Sequence, residues 1–194
     1  MDYGVIEKKL LRIYCETKFV LYILIGTTIK ASPELNIWKN IRVRPMNWLW
    51  NNVRSPITYL PNFLKDEILF RLPINDIKEG TKFKITTRWP SDIYIARQKG
   101  ENCGLAEDSL RNDDWELKDE DAFVRVKTYD YRKFCGCIRI RSEFISEIHL
   151  ELWHKKVEGN KVTELPAIAA DQEEIEIKPA IALFVVEGKI LLKY

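Results

Sequence analysis

From residue 82 onward the chain alternates apolar and polar residues with a period of two, in runs too short for anything but β-strands. Lys82-Phe83-Lys84-Ile85-Thr86 puts Phe83 and Ile85 on one face. Asp92–Arg97 does the same for Ile93 and Ile95, and the intervening Arg88-Trp89-Pro90-Ser91 has turn character, so the two runs are a hairpin candidate. In Ala122–Val126, Ala122, Val124 and Val126 share a face opposite Phe123. Cys137–Arg141 sets Ile138 and Ile140 against Arg139 and Arg141. Ile148–His154 turns Ile148, Leu150 and Leu152 inward and His149, Glu151 and Trp153 outward. Shorter runs lie at Glu67–Leu72, Trp115–Leu117 and Glu174–Lys178, with a turn at Glu158–Lys161. Ala180–Val186 and Lys189–Leu192 read as a hairpin around Glu187-Gly188. Short connections demand antiparallel pairing, because parallel strands need long crossovers. About nine or ten such strands predict a mainly β chain, an antiparallel β-sandwich of jelly-roll kind. Its expected core is Phe83, Ile85, Ile93, Ile95, Val124, Val126, Ile138, Ile140, Leu150, Leu152, Ile175, Ile177, Leu183 and Val185.

Three regions are expected. Residues 64–194 form the sandwich. Residues 32–63 hold Trp38, Trp48, Trp50, Tyr59 and Phe63 among Pro45, Pro56 and Pro61, which excludes a long helix and reads as an extended arm laying its rings on the body. Residues 1–31 contain the uncharged run Phe19–Ile29, preceded by Lys8, Lys9, Arg12 and Lys18. That run is shorter than the ~20 residues of a membrane span. It fits a signal-peptide core with Ala31 at the cleavage site, implying a secreted or lumenal protein. The competing reading is a helix over Val5–Tyr14 followed by a strand, in a cytoplasmic protein.

With 194 residues, 46% of them hydrophobic, the chain can bury a core without staples. A net charge of +2, from 31 basic and 29 acidic side chains, supplies no long-range field for nucleic acid. Cys15, Cys103, Cys135 and Cys137 are too few for a disulfide scaffold, and Cys135-x-Cys137 lacks the usual zinc spacing. His149 and His154, five apart on one strand, fall on opposite faces, so no metal ligand set is assigned. Gly-x-Ser-x-Gly, the P-loop and Gly-x-Gly-x-x-Gly are absent, and no cofactor is implied.

The remaining signals are surface chemistry. Trp38, Arg42, Arg44, Trp48, Trp50 and Arg54 interleave rings with cations, a combination used by single-strand nucleic-acid binders and by sugar platforms, or simply by core anchors. Residues 98–114 form the longest polar stretch, and long loops on sandwiches often carry function. Asp113-Asp114 and Asp119-Glu120-Asp121 supply carboxylates. Phe70-Arg71-Leu72-Pro73, Glu79-Gly80 and Asn112-x-x-Trp115 are similar to pieces of a galectin-type sandwich. The His-x-Asn-Pro-Arg element of galectins is missing, so no sugar-binding residue carries over and no family is assigned.

These features predict a non-catalytic recognition module for a carbohydrate or protein partner, with ligand contacts at Trp153, His149, Glu151, Trp115 and Asn112. The reasoning is that an outward Trp153 needs a cover, which is either a ligand or the aromatic arm. Two alternatives stand beside it: a hydrolase using the loop carboxylates of residues 98–121, and a cytosolic structural or assembly protein.

Overall fold

The computed structural model describes residues 26–40, 42–53, 55–98, 105–119, 121–133, 140–168 and 181–187, with backbone alone over 128–133 and 140–145. Among them are the strands β1 (Thr28–Ser32), β2 (Trp38–Asn40), β3 (Ile57–Tyr59), β4 (Ile68–Arg71), β5 (Lys82–Thr87) and β6 (Ser91–Gln98). There follow β7 (Glu116–Leu117), β8 (Phe123–Lys133), β9 (Ile140–Val157), β10 (Lys161–Glu164) and β11 (Ile181–Glu187). A short helix, α1 (Glu107–Asn112), precedes β7. One sheet has the order β1-β5-β10. The other runs β2-β4-β11-β6-β9-β8-β3, with β7 beside β9 beyond the end of β8. Every pairing is antiparallel. The mainly β, antiparallel sandwich is therefore observed.

β5 shows why the alternation folds this way. Phe83, Ile85 and Thr87 are buried while Lys82, Lys84 and Thr86 face water, so the small sheet has one wet face. The centre of the large sheet has none. Leu183 lies opposite Phe70 and Ile95, and Ile95 opposite Trp153. On the reverse face Phe184 lies opposite Leu69 and Tyr94, and Tyr94 opposite His154. All of these but His154 are buried. The expected core residues Phe83, Ile85, Ile93, Ile95, Val124, Val126, Leu150, Leu152, Leu183 and Val185 are all fully buried. Those at 138, 140, 175 and 177 lie outside the residues whose side chains are described.

The arm behaves as a folded cover. Val43, Leu49, Trp50, Ile57, Leu60 and Leu64 all enter the core. Trp50 Nε1 donates to the Ile181 carbonyl at 2.7 Å, fastening the arm to β11, and the Phe63 ring sits 5.2 Å from that of Tyr94. Of the three tryptophans in the arm, only Trp50 is a core anchor. Trp38 is 50% and Trp48 39% exposed.

Several local expectations are corrected. β5 and β6 are not a hairpin: they belong to different sheets, and the chain crosses between layers at Arg88–Pro90. β9 and β10 cross in the same way, through the expected Glu158–Lys161 turn, where Asn160 takes a left-handed φ of 59°. The crossings touch, with Asn160 N donating to Thr87 O at 2.7 Å. Over Leu183–Val185 β11 pairs with β4 on one edge and β6 on the other. The expected hairpin partner itself lies outside the described residues, as do Val5–Tyr14, Glu174–Lys178 and all four cysteines. Apart from these corrections, β1 runs through residue 31 and pairs Ala31 with Phe83. Thr27, just before it, donates from N and Oγ1 to Glu187 Oε1 at 2.8 and 2.6 Å. No helix among the described residues is long and apolar enough to cross a membrane.

Candidate functional site

The five expected contact residues divide between core and surface. Trp153 is fully buried, not outward. Side chains of the fold itself lie on it: the guanidinium groups of Arg97 and Arg111 are 5.7 and 5.3 Å from its ring, and Arg111 belongs to α1. A stretch read as loop thus contains a short helix that packs toward the second face of β9. Arg97, 2% exposed, was read only as the end of a strand. It donates from Nε to Glu151 Oε1 at 2.6 Å and from Nη1 to the Leu105 carbonyl. Trp153 Nε1 donates to the same Glu151 oxygen at 2.9 Å. Glu151 is therefore an internal anchor for a buried cation and an indole. Trp115 is buried too, with Lys155 Nζ 5.9 Å from its ring centre. Asn112 is exposed at the end of α1.

His149 is exposed, and it leads to the best-formed surface site. Its ring stacks on Phe123 at 5.1 Å and 9°, and Phe123 stacks on Tyr59 at 4.7 Å. Pairing explains the row: Arg125 lies opposite both His149 on β9 and Tyr59 on β3, so all three side chains share one face with Phe123. The Arg125 guanidinium lies 5.3 Å from the Phe123 ring and 6.0 Å from that of Tyr59. Its Nε is buried and has no hydrogen-bond partner among the described residues.

Tyr59 also borders an open cleft of about 420 Å³, shared with Phe63, Asn62, Lys65, Asp119 and Asp121. Tyr59 is 40% and Phe63 42% exposed, too much ring surface for core residues. Both rings are backed, Tyr59 by Phe123 and Phe63 by Tyr94, so they are held without a ligand. Asp119 and Asp121 are exposed on the same cleft. Lys65 Nζ donates to Asn62 Oδ1 at 2.7 Å. The arrangement offers flat apolar faces beside hydrogen-bond acceptors. The acids were visible in the sequence, whereas the rings were read as arm anchors.

A larger groove of about 760 Å³ runs beside β10 and contains Lys82, Lys155, Lys156 and Lys161 among Asp113, Glu158 and Glu164. Lys161 pairs with Glu158, Glu164 with Lys84, and Lys155 donates to the Asp113 carbonyl. His154, on the face opposite His149, has Nε2 2.7 Å from Asp92 Oδ1. No cluster of three or more metal-ligating side chains occurs among the described residues.

No protein-family model matches the chain, and neither does any curated protein. Among solved structures it is similar to a β-glucuronidase from glycoside hydrolase family 2, with a TM-score of 0.54 and 15% sequence identity. The likeness covers 79% of this chain and 14% of that enzyme, so the chain matches a small part of the enzyme's length. At this identity the likeness concerns the fold.

Proposed function

We propose that the chain is a non-catalytic carbohydrate-recognition module, with its binding surface at the Tyr59–Phe63 cleft. One observation carries the reading: two half-exposed rings, each backed by another ring, line an open cleft together with Asp119 and Asp121. Sugar rings present apolar C–H faces and equatorial hydroxyls, which such rings and carboxylates complement. A sandwich shared with part of a β-glucuronidase is compatible with a sugar ligand, and no residue role is carried over from it. The hydrolase alternative uses the same two carboxylates. They stand in open solvent, without the water-excluding enclosure that acid catalysis on a glycosidic bond uses.

The test is a glycan array probed with the whole chain, followed by titration of the best ligand. Tyr59→Ala and Phe63→Ala should each weaken binding by about tenfold or more, as truncation of anchoring rings does, with the wild-type far-UV spectrum retained at the assay temperature. Absence of binding to every glycan, or full binding by both variants, overturns the proposal. Release of reducing sugar by the wild type, abolished in Asp119→Asn, would favour the hydrolase.

A further inference from the structure

At the opposite edge of the large sheet a second aromatic surface is built around a cation. Trp38 of β2 and Arg71 of β4 are directly paired, so their side chains stand side by side on one face. Trp48, which is bridged to Pro56, also comes within reach of Arg71. The Arg71 guanidinium lies 5.4 Å from the Trp38 ring centre and 5.7 Å from that of Trp48, between two half-exposed indoles. It is held from behind: Nε and Nη2 donate to the Trp50 carbonyl at 3.3 and 2.8 Å, and Trp50 is itself fastened to β11. That leaves the Nη1–Nη2 edge with donors of its own. Among the described residues no carboxylate pairs with Arg71. Burial pulls its pKa below the ordinary arginine value, which marks a cation partly stripped of water without an anion in return.

We infer that Trp38, Arg71 and Trp48 form a second binding site, for a sugar that bears a carboxylate. The indoles offer two stacking faces, and the guanidinium edge between them matches a carboxylate in a forked pair. A nucleic-acid strand fits the surface less well, because a phosphodiester backbone wants a succession of cations. Lys39, next to Trp38, points through the other face to the Thr27 carbonyl, and Arg44 is paired with Asp66. The inference rests on the carbohydrate reading for its ligand class alone, since it shares no residue with the Tyr59 cleft.

The experiment titrates the whole chain with a short oligogalacturonate and with the matching neutral galacto-oligosaccharide, following tryptophan fluorescence and heat. Oligothymidylate and polyglutamate serve as controls for negative charge that is not carried by an acidic sugar. The acidic sugar should bind, weaken with added salt, and quench fluorescence. Arg71→Gln and Trp38→Ala should each lose about tenfold or more in affinity, as loss of a charged hydrogen bond or an anchoring ring does. Tyr59→Ala should retain that binding. Arg71→Lys, which keeps charge but not the fork, should recover part of it. The inference is overturned if the acidic sugar binds no better than the neutral one, or if Arg71→Gln and Trp38→Ala both bind like wild type. It is equally overturned if Tyr59→Ala alone abolishes binding, or if either control polymer binds as tightly. Neutral-sugar binding lost in Tyr59→Ala and kept in Arg71→Gln reports on the cleft, so the two readings fail separately.

Discussion

Replacing Glu151 by leucine removes the carboxylate that holds both Arg97 and Trp153 Nε1. Arg97, 2% exposed, would keep its donation to the Leu105 carbonyl, with Glu107 Oε2 the next carboxylate, 4.0 Å from Nη2. Breaking a buried pair from one side costs about 3–5 kcal/mol, because the surviving charge remains desolvated. Leaving the indole N–H without an acceptor costs about 1–3 kcal/mol more, and the two terms overlap since they share one oxygen. About 4 kcal/mol in total is expected, or roughly 8–16 °C in melting temperature for a chain of this size. Pairing the change with Arg97→Met removes the buried cation together with its lost anion, so the double variant should recover about 1.5 kcal/mol or more relative to Glu151→Leu alone. Urea unfolding of wild type, both single variants and the double variant gives the cycle directly. A Glu151→Leu protein within about 1 kcal/mol of wild type at unchanged m-value would refute the account of Glu151 as an internal anchor.

A Cβ on Gly159 would stand 2.6 Å from the Arg88 carbonyl oxygen and 3.0 Å from Trp89 backbone atoms. Gly159→Ala should therefore cost about 1–3 kcal/mol, and a neutral result in denaturant unfolding would contradict the close approach of the two crossings. Tyr94 has its pKa raised by burial, and further by Asp92 and Glu67. The unfolded chain then releases this proton first, starting near pH ~10, so stability falls as pH rises from there toward the higher folded value. Tyr94→Phe should flatten that decline in melting temperature between pH 9 and 11 or so, and an unchanged slope would show that Tyr94 does not contribute.

How much was legible follows from how local each signal is. Phe83 and Ile85 could be placed because β5 has one face in water, so burial writes itself as alternation. Trp153 defeated the same logic. Its neighbours His149 and Glu151 gave their shared face a polar character, while the cover, α1, comes from a stretch far away in sequence. That stretch does carry a helix signature: Glu107 and Asp108 in the first turn, Arg111 in the last, and a Glu107–Arg111 pair at 2.7 Å. Its six residues were too few for an apolar period to stand out. Which strand pairs with which was not written locally at all, and the supposed β5–β6 hairpin shows it: the short link crosses between layers instead of reversing within one. Of the candidate site, Asp119, Asp121 and His149 were visible as polar surface. Tyr59 and Phe63 looked like Trp50, because only the folded arm decides which of its rings turn inward.

The position of β11 bears on how such a chain acquires its structure. Residues 181–187 lie at the centre of the large sheet, between β4 and β6. Until that strand arrives, β4 and β6 each leave an inner edge unpaired and open to any other strand. A ribosome releases these residues after β1 to β10. The large sheet therefore cannot close during synthesis of the preceding residues, and the growing chain must shield those edges in the meantime.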